Sequence, residues 1–389
     1  MPACEVEGQP VVRARRAAKL ADRDLSPHLE GPVPMVVDPT GERSWVPAAV
    51  ANSREWVSLV ADRQPGADLT RDEIESVVSA AIQAPSILNS QPWRFVVAAG
   101  SITVFAVPER SPRAVDPTGR EVFLSLGAAL MNLRLAVAEL GREPLVELIP
   151  EPSEPTVVAR VRIGGPRAAN PVEHTLHRAI AERRSSRQPF TSEQVSAGLF
   201  AQLQEAASAE RGWLEVATGS HRAALLSVLH EADLEQRSDP ALVRDIGRWT
   251  GERPDAGVGI PTESLGPLSH DPGAATRDLG LGAVSAARQT AEFEREPQLA
   301  VLLTSGDTSV DWLRGGLALE RVLLTAASLG LAAGLLSHGT EVPELRPLVR
   351  DTSSRCHFPQ LVLRLGYATA PMPPTPRLDL SEVLEFAST

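Results

Sequence analysis

Cysteine is scarce. Cys4 and Cys356 are the only two in 389 residues, and they form no Cys-x-x-Cys or zinc-ligand spacing. That excludes a disulfide framework and a thiolate metal site. Basic charge is in deficit: 38 Lys and Arg stand against 49 Asp and Glu, a formal net charge of -11. A general nucleic-acid binder needs a basic face to neutralise phosphates, so that class is excluded too. An anionic ligand at a local basic pocket stays open. No apolar run is long and continuous enough to span a bilayer. The arginine-rich stretch VVRARRAAKLADRD is followed by no apolar segment, so no secretory signal is expected. The expectation is a soluble cytoplasmic protein, and 43% hydrophobic residues suffice for a sizeable core.

Residues 1–68 alternate Pro, Gly and charge without a sustained period and read as a poorly ordered extension. From Thr70 the pattern sharpens. TRDE is a capping box with Thr70 as N-cap, and Ile74, Val77, Val78, Ala81 and Ile82 follow at helical spacing until Pro85. WRFVVAA and ITVFAV read as strands joined around Gly100, and a long helix runs from Glu121 to Leu140 with Gly141 as its stop. TVVARVRI is a further strand. After it comes a helix capped by Asn170 with Pro171 at its first position. TSEQ, 191–194, reads as a second capping box, 220–249 as helical, and 250–278 as a long Gly- and Pro-rich loop. QLAVLLT, a helix from Ser309 to Leu329 and PQLVLRLGYA complete the chain before a Pro-rich tail.

The two halves echo each other. GAALMNLRLAVAELG (127–141) matches GLALERVLLTAASLG (316–330) in length, apolar spacing and terminal glycine, and WRFVVAAGS resembles WLEVATGS. Repeated order of this kind indicates a duplicated unit, which can fold as a dimer within one chain. The halves are placed at 69–166 and 167–389, the second with a lid-like insertion near 250–278.

Two loops carry the candidate chemistry. PSILNSQPWRF (85–95) packs Pro, Ser, Asn, Gln and Trp between a helix and a strand, more than a connector needs. ERRSSRQPF (182–190) sets Arg183, Arg184 and Arg187 among serines, a chemistry suited to a phosphate monoester. Taken singly, the second loop also reads as a solvated basic turn. His174 and His177, one helical turn apart, read as surface histidines, so no metal site is expected.

Together, RRSSRQPF and APSILNSQPWRF resemble the two signature loops of the nitroreductase superfamily of FMN-dependent oxidoreductases, and TPRLDLSEVL (375–384) resembles the family's closing segment. The resemblance implies an α+β fold: two nitroreductase-like units in one chain, mainly antiparallel sheets wrapped by helices, forming a pseudo-dimer packed through the long helices. The motif order departs from a usual subunit. The first half keeps only the Pro-Ser-Asn loop; the second keeps the Arg-Ser loop, and its other loop has shrunk to ASAERGW. This arrangement is similar to a fused pseudo-dimer subgroup known from actinobacteria, and it implies one composite FMN site.

By that resemblance, Pro85, Ser86, Ile87 and Asn89 approach the cofactor, with Ile87 replacing a usual serine. Gln91, Pro92 and Trp93 fix the loop. Arg183, Arg184, Ser185 and Arg187 hold the cofactor from the other half, Arg187 at the flavin edge where negative charge accumulates. Arg377 reaches the phosphate, and the segment whose backbone faces the ring points to Leu336, Ser337 and His338. The implied activity passes hydride from NADH, NADPH or an organic substrate to an acceptor through flavin N5, with no side chain assigned a catalytic role. The partners are small molecules, and the chain is a monomeric pseudo-dimer or a homodimer. The alternatives are a non-catalytic FMN-sequestering protein and a biosynthetic flavin-dependent dehydrogenase.

Overall fold

The computed structural model describes residues 36–37, 43–44, 69–151, 153–251, 257–271, 273–280 and 288–387. The expected N-terminal arm therefore lies outside the described residues, apart from Val36–Val37 and Arg43–Ser44, which pair antiparallel.

Thr70 caps α1 (Arg71–Ala81) as expected. Its hydroxyl accepts from Glu73 N–H at 3.3 Å, and the Glu73 carboxylate accepts from Thr70 N–H at 2.7 Å. β1 (Trp93–Ala98) and β2 (Ser101–Ala106) are joined by Ala99 and Gly100, both left-handed with φ of 46° and 68°. A two-residue turn of that kind matches the twist of the paired strands. Then follow α2 (Arg120–Glu139), β3 (Arg142–Leu148) and β4 (Val157–Pro166), and the sheet runs in the order β1-β2-β4-β3.

The second unit repeats this plan. After α3 (Pro171–Ala179) and α4 (Ala197–Ala209) come β5 (Trp213–Ala217), β6 (Gln298–Thr304), α7 (Ser309–Ser328), β7 (Ala332–Leu336) and β8 (Phe358–Gly366). Their order in the sheet is β5-β6-β8-β7, the same topology, and all of these pairings are antiparallel. Phe95 faces Val104 in the first hairpin, and Leu302 faces Leu214 in the second. Between β5 and β6, where the first unit has only Ala99 and Gly100, the second inserts residues 218–297. These begin with α5 (Gly219–Ser238) and α6 (Pro240–Trp249).

The two units meet through α2 and α7. A Cβ added at Gly127 would stand 2.2 Å from the Leu313 carbonyl oxygen, and one added at Gly316 would stand 2.1 Å from that of Leu124. The contact is reciprocal: each glycine faces the residue three positions before the other. Reciprocity marks an isologous, two-fold interface, here between halves of one chain. These two glycines begin the two echoing helix motifs, so the repeat in sequence is a repeat about the crossing point. α2 is long and apolar enough to cross a membrane by length and composition, contrary to expectation, but it is buried almost throughout as the central core helix.

Four other expectations change. The helix expected over 220–249 is two helices, broken where Pro240 lacks an N–H and the Asp239 carboxylate caps α6 through Ala241 N–H at 2.8 Å. TSEQ starts no helix. Thr191 N–H donates instead to the Tyr367 carbonyl at 2.8 Å, and α4 begins later, capped by Ser196. β3 and β7 follow the long helices without a sequence signal; the first alternates with charge, and the second is mostly Ala and Gly. Finally, 167–389 is not spatially one unit. Leu176, Ala179, Ile180, Leu378 and Val383 pack in the first unit's core. The C-terminal strand β9 (Leu384–Phe386) pairs parallel with β1, at the edge of the first sheet.

Candidate functional site

The loop after α1 turns sharply before it becomes β1. Leu88, Asn89 and Gln91 adopt left-handed conformations with φ of 46°, 54° and 50°. Each such non-glycine residue costs on the order of 1–3 kcal/mol and persists only when its surroundings hold it. Ser86 Oγ accepts from Gln91 N–H at 3.0 Å, and Ser125 Oγ from Ile87 N–H at 3.0 Å. Gln91 also donates to the Gly257 carbonyl at 2.7 Å and accepts from Leu378 N–H at 3.0 Å. Asn89 donates to the Gly259 carbonyl at 2.8 Å and to that of Pro376 at 3.1 Å. The buried amides of this loop therefore clamp both the long insertion and the C-terminal tail.

The arginine loop is hung on the edge of the second sheet. Ser186 N–H donates to the Ala333 carbonyl of β7 at 2.7 Å. Gly334 permits this approach, since a Cβ there would lie 2.9 Å from the Ser186 carbonyl oxygen. The two loops thus face each other across the cleft between the units.

Two cavities occupy that cleft and share Pro85, Ser86, Arg187 and Leu335 as walls. The larger, with about 950 Å³ of empty volume counted to its open mouth, is lined by Pro85, Ser86 and Ile87 on one side and by Ser186, Leu336 and Ser337 on the other. Ile260, Leu265, Thr276 and Leu279 cover it from the insertion. The smaller, about 590 Å³, is lined by Asn89, Arg183, Arg184, Ser185 and Arg377. His338 lines neither. Its side chain is fully buried behind Ser337, and burial holds its imidazole pKa well below the ordinary value.

The smaller cavity has four arginines in its wall and no acid. Arg377 donates to the Ile82 and Gln83 carbonyls at 2.7 and 3.0 Å and to Asn89 Oδ1 at 3.1 Å. Burial, reinforced by Arg183 and Arg184, pushes its pKa down to about 9. Arg183 lies 3.4 Å from Glu320, a fully buried carboxyl whose pKa burial raises to about 7. Arg187 donates to the Ser264 carbonyl at 2.9 Å and pairs with no carboxylate among the described residues; burial, with Arg277 and Arg288 nearby, lowers its pKa to about 10. A largely half-buried cluster of one sign is stabilised by an anion carrying about two charges.

The pseudo-symmetric position differs. There Glu210 of the shortened ASAERGW loop is clamped by Arg134 of α2 at 2.7 and 2.9 Å and by Arg321 of α7 at 3.1 Å. Basic charge at that end of the helix pair is neutralised within the protein.

Sequence reasoning missed three charged side chains of the larger cavity. Arg364 pairs with Glu294 at 2.8 Å and stacks on Phe190, 4.1 Å from its ring centroid. A lone arginine in the apolar run LVLRLG is the signal that marks it. Arg277 binds Glu341 at 2.7 Å and Ser337 Oγ at 2.8 Å. Glu121, the one acid in the lining, looks in sequence like any first-turn helix carboxylate.

The chain has relatives among known proteins. The sequence profile of the Nitroreductase family matches residues 65–103. A Mycobacterium tuberculosis protein provisionally named an NAD(P)H nitroreductase is 31% identical over 321 residues, 81% of this chain and 92% of its own length. Another from the same organism, provisionally named the NAD(P)H nitroreductase acg, is 31% identical over 323 residues, 82% of this chain and 97% of its own. Among solved structures, the FMN and NADPH-dependent nitroreductase NfnB from sphigopyxis sp. strain HMH is similar at 21% identity, covering 55% of this chain and 99% of that one, with a TM-score of 0.36. The FMN-dependent nitroreductase NfnB from Mycobacterium smegmatis in complex with NADPH is similar at 17% identity, covering 56% and 100%, with a TM-score of 0.34.

Proposed function

The chain belongs to the nitroreductase family, and from that premise we propose that it is an FMN-dependent oxidoreductase that moves hydride from NAD(P)H or an organic donor to a small-molecule acceptor. The observation that carries this reading is the four-arginine, acid-free cavity opening into a larger, mostly apolar one, with each signature loop on one side. FMN has that polarity, a phosphate at one end and a flat ring at the other. When bound, it supplies a two-electron carrier for hydride, and the protein supplies orientation and electrostatics.

Arg183, Arg184 and Arg377 would hold the phosphate, with Ser185 beside them. Pro85, Ser86, Ile87 and Leu336 would border the ring. Arg187, at the junction of the two cavities and free of a carboxylate partner, favours negative charge on the neighbouring edge. Ile260, Leu265 and Leu279 exclude water from above.

A second reading has its own support. The cover is tied down at Gly257, Gly259 and Ser264 by Gln91, Asn89 and Arg187. A cover so fixed favours a protein that sequesters FMN. Anaerobic mixing with NADH and with NADPH separates the two. Prompt bleaching of the flavin band supports the oxidoreductase; no bleaching by either, with dithionite still effective, supports sequestration.

A further inference from the structure

Reduction of a quinone or nitro oxygen consumes a proton along with each hydride, and the larger cavity contains one side chain chemically able to give it. Glu121 is the only carboxyl in that lining among the described residues, and it is 6% exposed. One of its oxygens, Oε1, accepts from Arg120 Nη2 at 2.9 Å; Oε2 has no hydrogen-bond partner among the described residues. Apolar walls at Leu124, Leu265 and Phe293 stand around the same cavity.

The charges packed around Glu121 do not balance. Three carboxyls, Asp116, Glu121 and Glu341, share two guanidiniums, Arg120 and Arg277. Nearby groups do not repair the deficit. Arg346 is engaged by Asp307 at 2.6 Å, Arg288 by Asp278, and His338 is buried and held neutral. Of the other cations in the cavity wall, Arg364 is paired with Glu294 at 2.8 Å and Arg187 is turned to the Ser264 carbonyl. One proton is therefore retained in the cluster, because like charges that close in a buried site cannot all ionise.

The hydrogen bonds decide where that proton sits. Glu341 accepts from both Arg277 nitrogens at 2.7 Å and from Ser337 Oγ at 2.7 Å, so its oxygens are the most fully bonded of the three carboxyls. Asp116 accepts from Val122 N–H at 2.9 Å. Arg120 gives only one of its contacts to Glu121 and the others to the Gln360 and Thr340 carbonyls, to Thr340 Oγ1 and to Gln360 Oε1. Glu121 is the least supported of the three as an anion.

Resting on the oxidoreductase reading, we propose that Glu121 is the acid that protonates an aromatic oxygen acceptor, a quinone or nitro compound, as hydride reaches it. For a quinone, hydride leaves the reduced carrier for the acceptor, and the Glu121 O–H bond breaks as its proton forms an O–H bond on the acceptor oxygen. The carrier is oxidised by two electrons and the quinone reduced by two. Glu121 is left as a carboxylate already bonded by Arg120, and water from the cavity mouth returns the proton.

The test uses FMN-loaded protein, reduced with dithionite and mixed anaerobically with a soluble benzoquinone, on both sides of pH about 8, the value to which burial and Glu341 raise the Glu121 carboxyl. Reoxidation of the parent should slow above that pH. Glu121→Gln should be slower by roughly a hundredfold below it and flat with pH. Infrared spectra, taken with and without FMN, should lose a carboxylic-acid band in Glu121→Gln; this readout needs no turnover. Equal reoxidation rates, or infrared spectra of parent and variant with the same carboxylic-acid bands, would overturn the acid role alone. A parent that benzoquinone cannot reoxidise would overturn the oxidoreductase reading and this role with it. Should Glu121→Gln fail to fold, Glu341→Gln carries the test. It restores two carboxyls to two guanidiniums, so the pH at which the rate falls should drop by about a unit or more, and an unshifted profile would overturn the proposal.

Discussion

The arginines of the smaller cavity differ in how far the protein itself uses them, and that difference makes a sharp prediction. Arg377 is bonded to Ile82, Gln83 and Asn89, and Arg183 to the Gln83 carbonyl and Glu320. Among the described residues, Arg184 makes one side-chain hydrogen bond, to the Arg183 carbonyl at 2.7 Å. Replacing Arg184 with Ala should therefore leave the fold nearly untouched and remove a charge-assisted contact to phosphate. Such a contact contributes about 1.5–3 kcal/mol, a loss of roughly tenfold to somewhat over a hundredfold in FMN affinity. Arg377→Ala should weaken FMN by at least as much and also lower the melting temperature of the cofactor-free protein, because it releases the tail from the signature loop. Arg211→Ala, on the shortened loop and outside both cavities, is the control. Fluorescence titration of cofactor-free protein with FMN, alongside thermal unfolding, reads both quantities. Parent-like affinity in Arg184→Ala, or an equal loss in Arg211→Ala, would refute the placement of the phosphate.

Other consequences follow from packing and charge. Because Glu210 with Arg134 and Arg321 closes the pseudo-symmetric position, released flavin should approach one equivalent per chain, and two would contradict that closure. Gly127→Ala would put a methyl 2.2 Å from the Leu313 carbonyl oxygen, so urea unfolding should show a loss of about 1–3 kcal/mol or more; an unchanged midpoint would argue against the close helix crossing. Burial raises Glu320 from 4.5 to about 7, so the folded state keeps a proton that the unfolded chain releases, and the parent loses stability as pH climbs through that window and levels off above it. Glu320→Gln should lack that component, visible as the difference between the two stability–pH curves; parallel curves would deny it. Replacing residues 256–275 with a short Gly-Ser linker should speed flavin reduction by small donors and increase iodide quenching of bound FMN, and unchanged values would mean the insertion is no cover.

Local chemistry determined much of this protein from its sequence alone. The capping box at Thr70, the hairpin turn at Ala99 and Gly100 and the two echoing helices depend on neighbours within a few residues, and each was legible. So were the two signature loops, because their side chains are unusual for connectors. Only the tertiary structure decided what those side chains touch. Asn89 and Gln91 bind segments some 170 and 290 positions away in the chain. Thr191 exchanged a helix cap for the Tyr367 carbonyl, and His338 turned into the core rather than the cleft. The parallel C-terminal strand on the first sheet has no signal in its own three residues, since pairing is specified by the edge it meets. Glu121 shows the limit most plainly. A carboxylate in a helix's first turn is ordinary, and its surplus negative charge exists only because Asp116 and Glu341 are folded against it with too few arginines to share.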